Sequence, residues 1–255
     1  MHNFSEYISN IGGSLIKQSK SCTVWQIGAC TIQFRDIGFD ETSYIIPTTS
    51  QDYIVIWQDQ WQLKKEIIIS RIEAAIGISN KIHARQTQVV RLDKHIAQHF
   101  LETYHLQGST SAYYKYGLVY QDEIVAVATF SKARVMYDGP VYYRSYELER
   151  IASKGNMVVV GGLSKLIKYF INQHNVVHIM TYVDAAWGEG GAFEKIGFTK
   201  YARMQPNVYY VNNQTFERIV QHVFVSKQIH TNTWSKILNL GSYKMVYDTR
   251  TMKIK

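Results

Sequence analysis

Residues 146–198 read YELERIASKGNMVVVGGLSKLIKYFINQHNVVHIMTYVDAAWGEGGAFEKIGF, and this stretch decides the fold. YELERIAS is strand-like. In GGLSKLIKYFI, Leu163, Leu166, Ile167, Phe170 and Ile171 recur at helical spacing while Lys165 and Lys168 take the other side. HIMTYVD is a second strand ending at Tyr182 and Val183, and a short helix closes at Gly197-Phe198. The result is a β-α-β-α unit with two glycines where its first helix begins. Gly161 and Gly162 lack Cβ atoms, so the backbone can turn tightly and come close to a ligand. The helix they open presents unpaired N–H groups and the positive end of its dipole. A phosphate or diphosphate fits there; a plain strand-to-helix turn is the alternative.

Upstream, Val89, Val90 and Leu92 mark a strand, and Asp93 can cap a helix running to His105. Residues 117–120 and 124–130 form a hairpin around a turn at 121–123, and a third strand follows near 142–151. The polar stretch 79–88 reads as a linker. Residues 1–60 read as β-rich, with strands at 22–27, 31–36 and 53–57, before Trp61 to Ile76 turns to an amphipathic helix stopped by Gly77. Past a strand near 209–211, residues 216–224 and 234–238 look helical and 243–248 reads as a last strand. The expected class is α+β: a mixed central sheet flanked by helices, with a smaller β-rich N-terminal region plus one helix. The expected domains are 1–80 and 81–255.

Several side chains carry chemistry. Glu147 and Glu149 alternate with Leu148 and Arg150, which places both carboxylates on one face of a strand, where either could take a proton from an amine. An internal ion pair with an arginine is the alternative. Asp184 ends a strand, the edge where ligands bind in α/β sheets, or it caps the following turn. His105 and Gln107 lie where a helix gives way to a loop. Trp187, in a glycine-flanked loop, could stack on a base for about 1–3 kcal/mol or serve as a hydrophobic plug.

At these motifs the chain resembles the GNAT superfamily of acyl-CoA-dependent N-acyltransferases. ELERIA, GGLSKLIKYF and YVDAAWGEGGAFEKIGF carry the similarity, with YHLQGS at 104–109 upstream, over residues 85–211, roughly half the chain. Within that superfamily it is most similar to phage Mom-like DNA-modification proteins and to phage proteins associated with nuclease modules. The resemblance implies acetyl-CoA or another acyl-CoA as cofactor, its pyrophosphate held by Val160, Gly161, Gly162, Leu163, Ser164 and Lys165. Phe193 would lie beside the cofactor, Glu147, Glu149, Asp184 and Tyr182 would be catalytic, and His105, Gln107 and Trp187 would contact substrate. One departure is chemical: where the family commonly has tyrosine in Tyr-Glu-Lys-Leu-Gly-Phe, this chain has Phe193, which has no proton to give to a thiolate. Tyr182 or a water is the replacement donor. DYIVIWQDQWQLKKEIIISRIEAAIG also resembles the final strand and helix of very-short-patch-repair endonucleases. Asp36, Asp40 and Glu41 are the only clustered acids before that helix, and the endonuclease acid and histidine pattern is not recognisable, so a degenerate module is expected.

Composition bounds the rest. With 255 residues, 46% hydrophobic and 19% charged, the chain can bury a core. Two cysteines, Cys22 and Cys30, support neither a disulfide scaffold nor a zinc finger, and a reducing cytoplasm is the expected setting. No metal site, signal peptide or membrane span is expected. A net charge of +8 favours an anionic partner, with nucleic acid, DNA above RNA, the expected one. Three functions follow: an N-acyltransferase acting on a nucleic-acid amino group, a non-catalytic nucleic-acid-binding or accessory protein on the same fold, and an acyltransferase for protein or small-molecule amines.

Overall fold

The computed structural model describes residues 4–39 and 53–250. In chain order the elements are α1 (Phe4–Asn10), β1 (Ser14–Gln18), β2 (Cys22–Ile27), β3 (Cys30–Arg35), β4 (Tyr53–Trp57), α2 (Gln58–Leu63), α3 (Lys65–Ile76), β5 (Asn80–His83), β6 (Gln88–Arg91) and α4 (Lys94–Tyr104). There follow β7 (Tyr114–Tyr120), β8 (Glu123–Phe130), β9 (Arg134–Asp138), β10 (Val141–Ser153), β11 (Met157–Val160), α5 (Gly162–His174), β12 (His178–Asp184) and α6 (Gly191–Glu194). The chain ends with β13 (Thr199–Met204), β14 (Val208–Asn212), β15 (Arg218–Val220), α7 (Gln221–Ser226), β16 (Trp234–Leu238) and β17 (Ser242–Asp248). Two compact units emerge. One holds the residues up to Ile68 with Val183–Glu189 and Arg203–Tyr243; the other holds Ile69–Tyr182, Gly190–Ala202 and the residues from Lys244 on. This spatial division and a linear boundary at residue 80 are different partitions of the chain.

The second unit contains most of the large mixed sheet, ordered β13-β17-β12-β10-β8-β7-β6 with β9 added to β10. The hairpin β7–β8 turns on Gln121 and Asp122, both at positive φ (48° and 61°), the twist that matches two right-handed strands. On one face of the sheet Ala97, Phe100 and Leu101 of α4 pack with Leu92, Val127 and Ala152. Helix α5 packs by its buried Leu166, Ile167 and Phe170; the Phe170 ring stacks on Phe130 at 3.8 Å and meets Tyr146 edge-on at 5.2 Å. Each of those three side chains contributes about 2 kcal/mol by leaving water. The mixed sheet flanked by helices is the class expected from sequence, and the expected order of a strand, a helix, three strands and a further helix is present as β6, α4, β7, β8, β10 and α5, with β9 and β11 added.

The first unit contains a four-stranded sheet, β1-β2-β3-β4, and a three-stranded one, β15-β14-β16. Cys22, Trp57, Val211 and Ile237 are buried together there. A two-point ion pair reinforces this core: Arg218 Nε and Nη2 donate to the buried Asp59 carboxylate, both at 2.7 Å, while the Arg218 guanidinium lies over Trp57 and Tyr209. Asp59→Ala strands a largely buried guanidinium and is expected to destabilise by about 3 kcal/mol. Replacing both partners with apolar residues, Asp59→Leu with Arg218→Met, is expected to recover most of that loss. Urea unfolding midpoints check both, and a shift under about 0.5 kcal/mol for Asp59→Ala would show the pair to be inert.

Five local expectations are corrected. Residues 4–10 form α1, held by Phe4 and Ile8 one turn apart and by Phe4 stacking on Phe34 at 4.3 Å. The single helix expected from Trp61 to Ile76 is two, broken at Lys64, whose φ of −133° is not helical. The linker expected at 79–88 contains β5, paired in parallel with β11; only Ile82 of its four residues is buried, so the period-2 signal is absent. Residues 234–238, expected helical, are β16, because five residues do not distinguish the two periods and pairing with β14 decides. Residues 216–224, also expected helical, contain β15 followed by the start of α7, a helix of six residues that runs to Ser226. Asp36 is half-buried, and burial raises its carboxyl above the usual range; Asp40 and Glu41 lie outside the described residues. Among the described residues no group of three or more His, Cys, Asp or Glu side chains is placed to hold a metal ion, and no helix is long and apolar enough to cross a membrane.

Candidate functional site

A fork in the large sheet builds the site. Strands β10 and β12 run parallel, yet their register partners are only Ser145 with His178, Tyr146 with Ile179 and Glu147 with Met180. The buried Ser145 Oγ and His178 Nδ1, 2.9 Å apart, pin the start of this contact. At its end the Thr181 hydroxyl donates to the Leu148 carbonyl at 2.9 Å. Beyond that point β10 continues against β8 alone. Its pairing there carries a bulge: Leu148 faces Phe130 and Arg150 faces Thr129, leaving Glu149 as the extra residue. A bulge bends a strand and re-aims its side chains, so β10 leaves β12 at Glu149.

Helix α5 follows β11, and its start lies toward the carboxyl end of β10: Gly162 abuts Leu118 of β7, whose partner Ala126 in β8 faces Ser153. Its N-cap, Gly161, has φ of 80°, and no side chain caps the helix. The Lys165 N–H donates to the Gly161 carbonyl at 2.9 Å and closes the first turn; Gly162, Leu163 and Ser164 supply the first-turn amides that a helix leaves without an intrahelical partner. The two glycines act differently. Gly161 supplies the left-handed turn, whereas a Cβ on the buried Gly162 would sit 3.0 Å from Val159 Cβ and 3.2 Å from Leu118 Cδ1, so that glycine lets the helix start press onto the sheet. No acidic residue occupies the first turn. Uncapped amides, a serine hydroxyl and no carboxylate in that turn fit a diphosphate. Val160 of β11, 42% exposed, pairs with His83 of β5, and Leu163 is half-buried. Lys165 is engaged within the protein, where its ammonium donates to the Ala84 carbonyl at 2.8 Å and to that of Thr87, tying the helix to the segment before β6. Phe193, in α6, packs edge-on against Phe198 at 5.4 Å, and Phe198 in turn meets Tyr247.

The carboxylates lie at the fork. Burial raises the Glu147 carboxyl above its ordinary value, the charge of Glu149 adds to this, and Arg134 at 3.6 Å works against it. Glu149 gives its carbonyl to Arg150 Nη1 at 2.8 Å, and Arg150 Nε reaches the Gly108 carbonyl at 3.2 Å. Arg150 therefore staples the loop after α4 to the bulge. That loop carries His105 and Gln107, and the Gln107 N–H donates to His105 Nδ1 at 3.2 Å. Glu102 anchors its far end through the Ser109 N–H and hydroxyl, at 2.9 and 2.6 Å. Burial, then the charges of Arg150 and Arg71, lower the His105 pKa to about 3 against the opposing pull of Glu102. His105 is thus neutral, and with Nδ1 accepting, its proton is on Nε2. A depressed histidine contributes stability above its unfolded value near 6.5, lost as pH falls toward about 3. His105→Gln is expected to flatten that acid limb, measured as Tm between pH 7 and pH 4; equal slopes for both proteins would refute it.

The fold brings Glu147, Glu149, Arg150, His105 and Gln107 around the bulge. Tyr182, on β12, is 42% exposed. Asp184 and Trp187 fall in the segment Val183–Glu189 counted with the first unit. There Asp184 Oδ1 accepts the Ala186 N–H at 2.9 Å and its carbonyl accepts the Trp187 N–H at 3.0 Å, the turn-capping alternative; Trp187 is half-buried. Nothing in the sequence alone marked Arg134 or Thr181, and it placed Arg150 only in the alternation with the two glutamates. Arg150 stands inside ELERIA, but only the bulge shows that it reaches back to Gly108.

No protein-family model and no curated protein matches the sequence. Among solved structures the chain is similar to a GNAT family acetyltransferase from Elizabethkingia anophelis with acetyl-CoA bound, at 12% identity over 64% of this chain and 98% of that one, TM-score 0.35. It is also similar to the ribosomal-protein-S18-alanine N-acetyltransferase from Escherichia coli, at 15% identity over 64% and 93%, TM-score 0.38. A Bacillus subtilis acetyltransferase in complex with CoA gives 14% identity over 64% and 98%, TM-score 0.36. These likenesses are distant, and the functional reading rests on this chain's own cleft.

Proposed function

We propose that this chain is a CoA-dependent N-acyltransferase whose acceptor is an amino group on nucleic acid. The observation that carries the reading is the combination of two features along β10: strands that part after three paired residues and, toward its carboxyl end, an uncapped helix start free of acidic side chains. The first makes a slot for an extended chain; the second favours a diphosphate. Residues Gly162, Leu163 and Ser164 would hold the pyrophosphate by their amides, and the cofactor would supply an activated thioester carbonyl. Glu147, its carboxyl raised but still an acceptor when ionised, takes the proton from the attacking amine, directly or through a water. His105 Nε2–H orients the acceptor as a donor. A thiol near pKa 8.5 leaves as thiolate without full protonation, so Phe193 does not forbid the reaction, and the Tyr182 hydroxyl is the proton donor to it. The acceptor class rests on the +8 charge and on the resemblance to Mom-like proteins. In the same reading, the N-terminal segment is a degenerate endonuclease-like module that contacts DNA.

Calorimetric titration with acetyl-CoA and with CoA is the test. Saturable binding of both is expected, and the absence of either would remove the cofactor site. The second reading, a binding protein without catalysis, is favoured by Phe193, whose ring is packed on Phe198 where the family commonly has a hydroxyl. Salt-sensitive nucleic-acid binding without acyl transfer would decide for it.

A further inference from the structure

Beyond the fork, β10 extends backward into a two-stranded arm with β9 that joins the large sheet only through β10. The arm turns at Gly139-Pro140, where Gly139 has φ of 59°, and every residue from 132 to 142 is exposed. Directly paired residues of an antiparallel ladder share a face. One face of the arm is partly covered at Tyr143: this partner of Met136 lies beside His178 at 5.1 Å and under the Arg250 guanidinium at 3.4 Å, and Arg250 also approaches Asp138 at 3.8 Å. The opposite face pairs Tyr137 with Tyr142 and Val135 with Arg144. Its two tyrosines are 74% and 69% exposed, the most exposed large hydrophobic side chains of the described residues apart from Tyr201 at 71%. Near the base of the arm, exposed Lys132 lies over the ring of Tyr113, itself half-exposed at 51%.

We infer that this face is a binding surface for a single strand of nucleic acid. Rings side by side on a rigid ladder offer stacking platforms to unpaired bases, which double-stranded nucleic acid conceals within its own stack. Arg144 on this face and Lys132 near the base of the arm supply cations for the backbone, and the single acid of the arm, Asp138, is on the other face, 3.8 Å from Arg250. The charge therefore complements a phosphate chain. The strand that carries Tyr142 and Arg144 continues unbroken to the bulge, so the arm is joined to the fork through β10, with Glu147 on the opposite face beside Arg134. This deepens the acyltransferase reading and rests on it for the role of the surface, because pairing engages one N–H of each exocyclic amino group and keeps the base in its stack, whereas an unpaired base offers the whole amino group. The surface itself stands on the arm alone.

The experiment uses the full chain and fluorescence anisotropy with a labelled mixed-sequence single-stranded DNA oligonucleotide over a salt series, with the corresponding duplex in parallel. The wild type is expected to bind the single strand tighter than the duplex. Tyr137→Ala with Tyr142→Ala is expected to weaken single-strand binding at least tenfold, and Lys132→Ala with Arg144→Ala to reduce the slope of log K against log salt by about 1.4, at about 0.7 for each phosphate no longer neutralised. Circular dichroism and acetyl-CoA calorimetry on each variant report folding and the cofactor site separately. A folded tyrosine variant with unchanged single-strand affinity would overturn the proposal, as would a preference for duplex. Sedimentation showing a wild-type dimer that the tyrosine variant dissolves would assign the face to a second copy instead, and also overturn it. A wild type that binds the strand through the tyrosines yet ignores acetyl-CoA supports the surface while removing the enzymatic reading.

Discussion

Ser164→Glu is expected to lower acetyl-CoA affinity at least 100-fold while leaving the protein as stable as the wild type or slightly more so. Ser164 is the third residue of α5, half-buried, in a first turn with no acid and no side-chain cap. A carboxylate there complements the helix dipole, worth about 0.3–1 kcal/mol to the free protein. Against a bound diphosphate the same charge is repulsive, by about 4 kcal/mol at 4 Å in a surface-like dielectric. The two effects have opposite signs, so misfolding is not confused with lost binding. Ser164→Ala removes only the hydroxyl and is expected to cost about fivefold or less. Calorimetry and a thermal melt on both variants suffice. Unchanged affinity in Ser164→Glu would place the anion elsewhere. Gly161→Glu is a less clean probe, because Gly161 has φ of 80°, where a side chain strains the backbone whatever it does to the ligand.

Glu147→Gln is expected to reduce kcat/KM for acyl transfer by about 100-fold or more, the usual contribution of a positioned general base, with acetyl-CoA binding retained. The pH dependence fixes the sign. Burial and Glu149 raise the Glu147 carboxyl, so the wild-type acid limb falls above the ordinary value of 4.5, as the base is protonated. The stability effect runs the other way. A carboxyl raised in the folded state contributes most below 4.5, and that contribution is lost as pH rises through the folded value. Near neutrality the wild type therefore carries the cost of a partly buried charge that Arg134 offsets only in part. Glutamine removes the cost, and a slightly higher Tm at pH 7 should accompany the loss of rate, the exchange expected where function holds a group in an unfavourable environment. A variant with full activity would move the base to Glu149.

Much of the fold was legible because it is written in local periodicity. Leu166, Ile167 and Phe170 recur at helical spacing and are buried against one face of the sheet; the 114–130 hairpin is announced by two apolar runs around Gln121-Asp122. The failures share a cause. Ile82 is one apolar residue among four, and residues 234–238 are too short to show a period, so for both a partner strand made the decision. The site was legible in part. The glycines marked the helix start, but sequence treated them as equivalent, whereas one supplies a turn and the other a close approach. Lys165 stood where a phosphate ligand was expected, and only the folded chain shows its ammonium engaged by two carbonyls.

By itself the chain determined its class, the existence and order of β6, α4, β7, β8, β10, α5 and β12, and the glycine-marked start of α5, since each depends on residues close in sequence. Tertiary structure alone decided the fork, the bulge at Glu149, the Arg150 staple to Gly108 and the company that His105 keeps. Those depend on register between segments tens of residues apart. A one-residue shift in register reverses every side chain of a strand, and no local pattern records it.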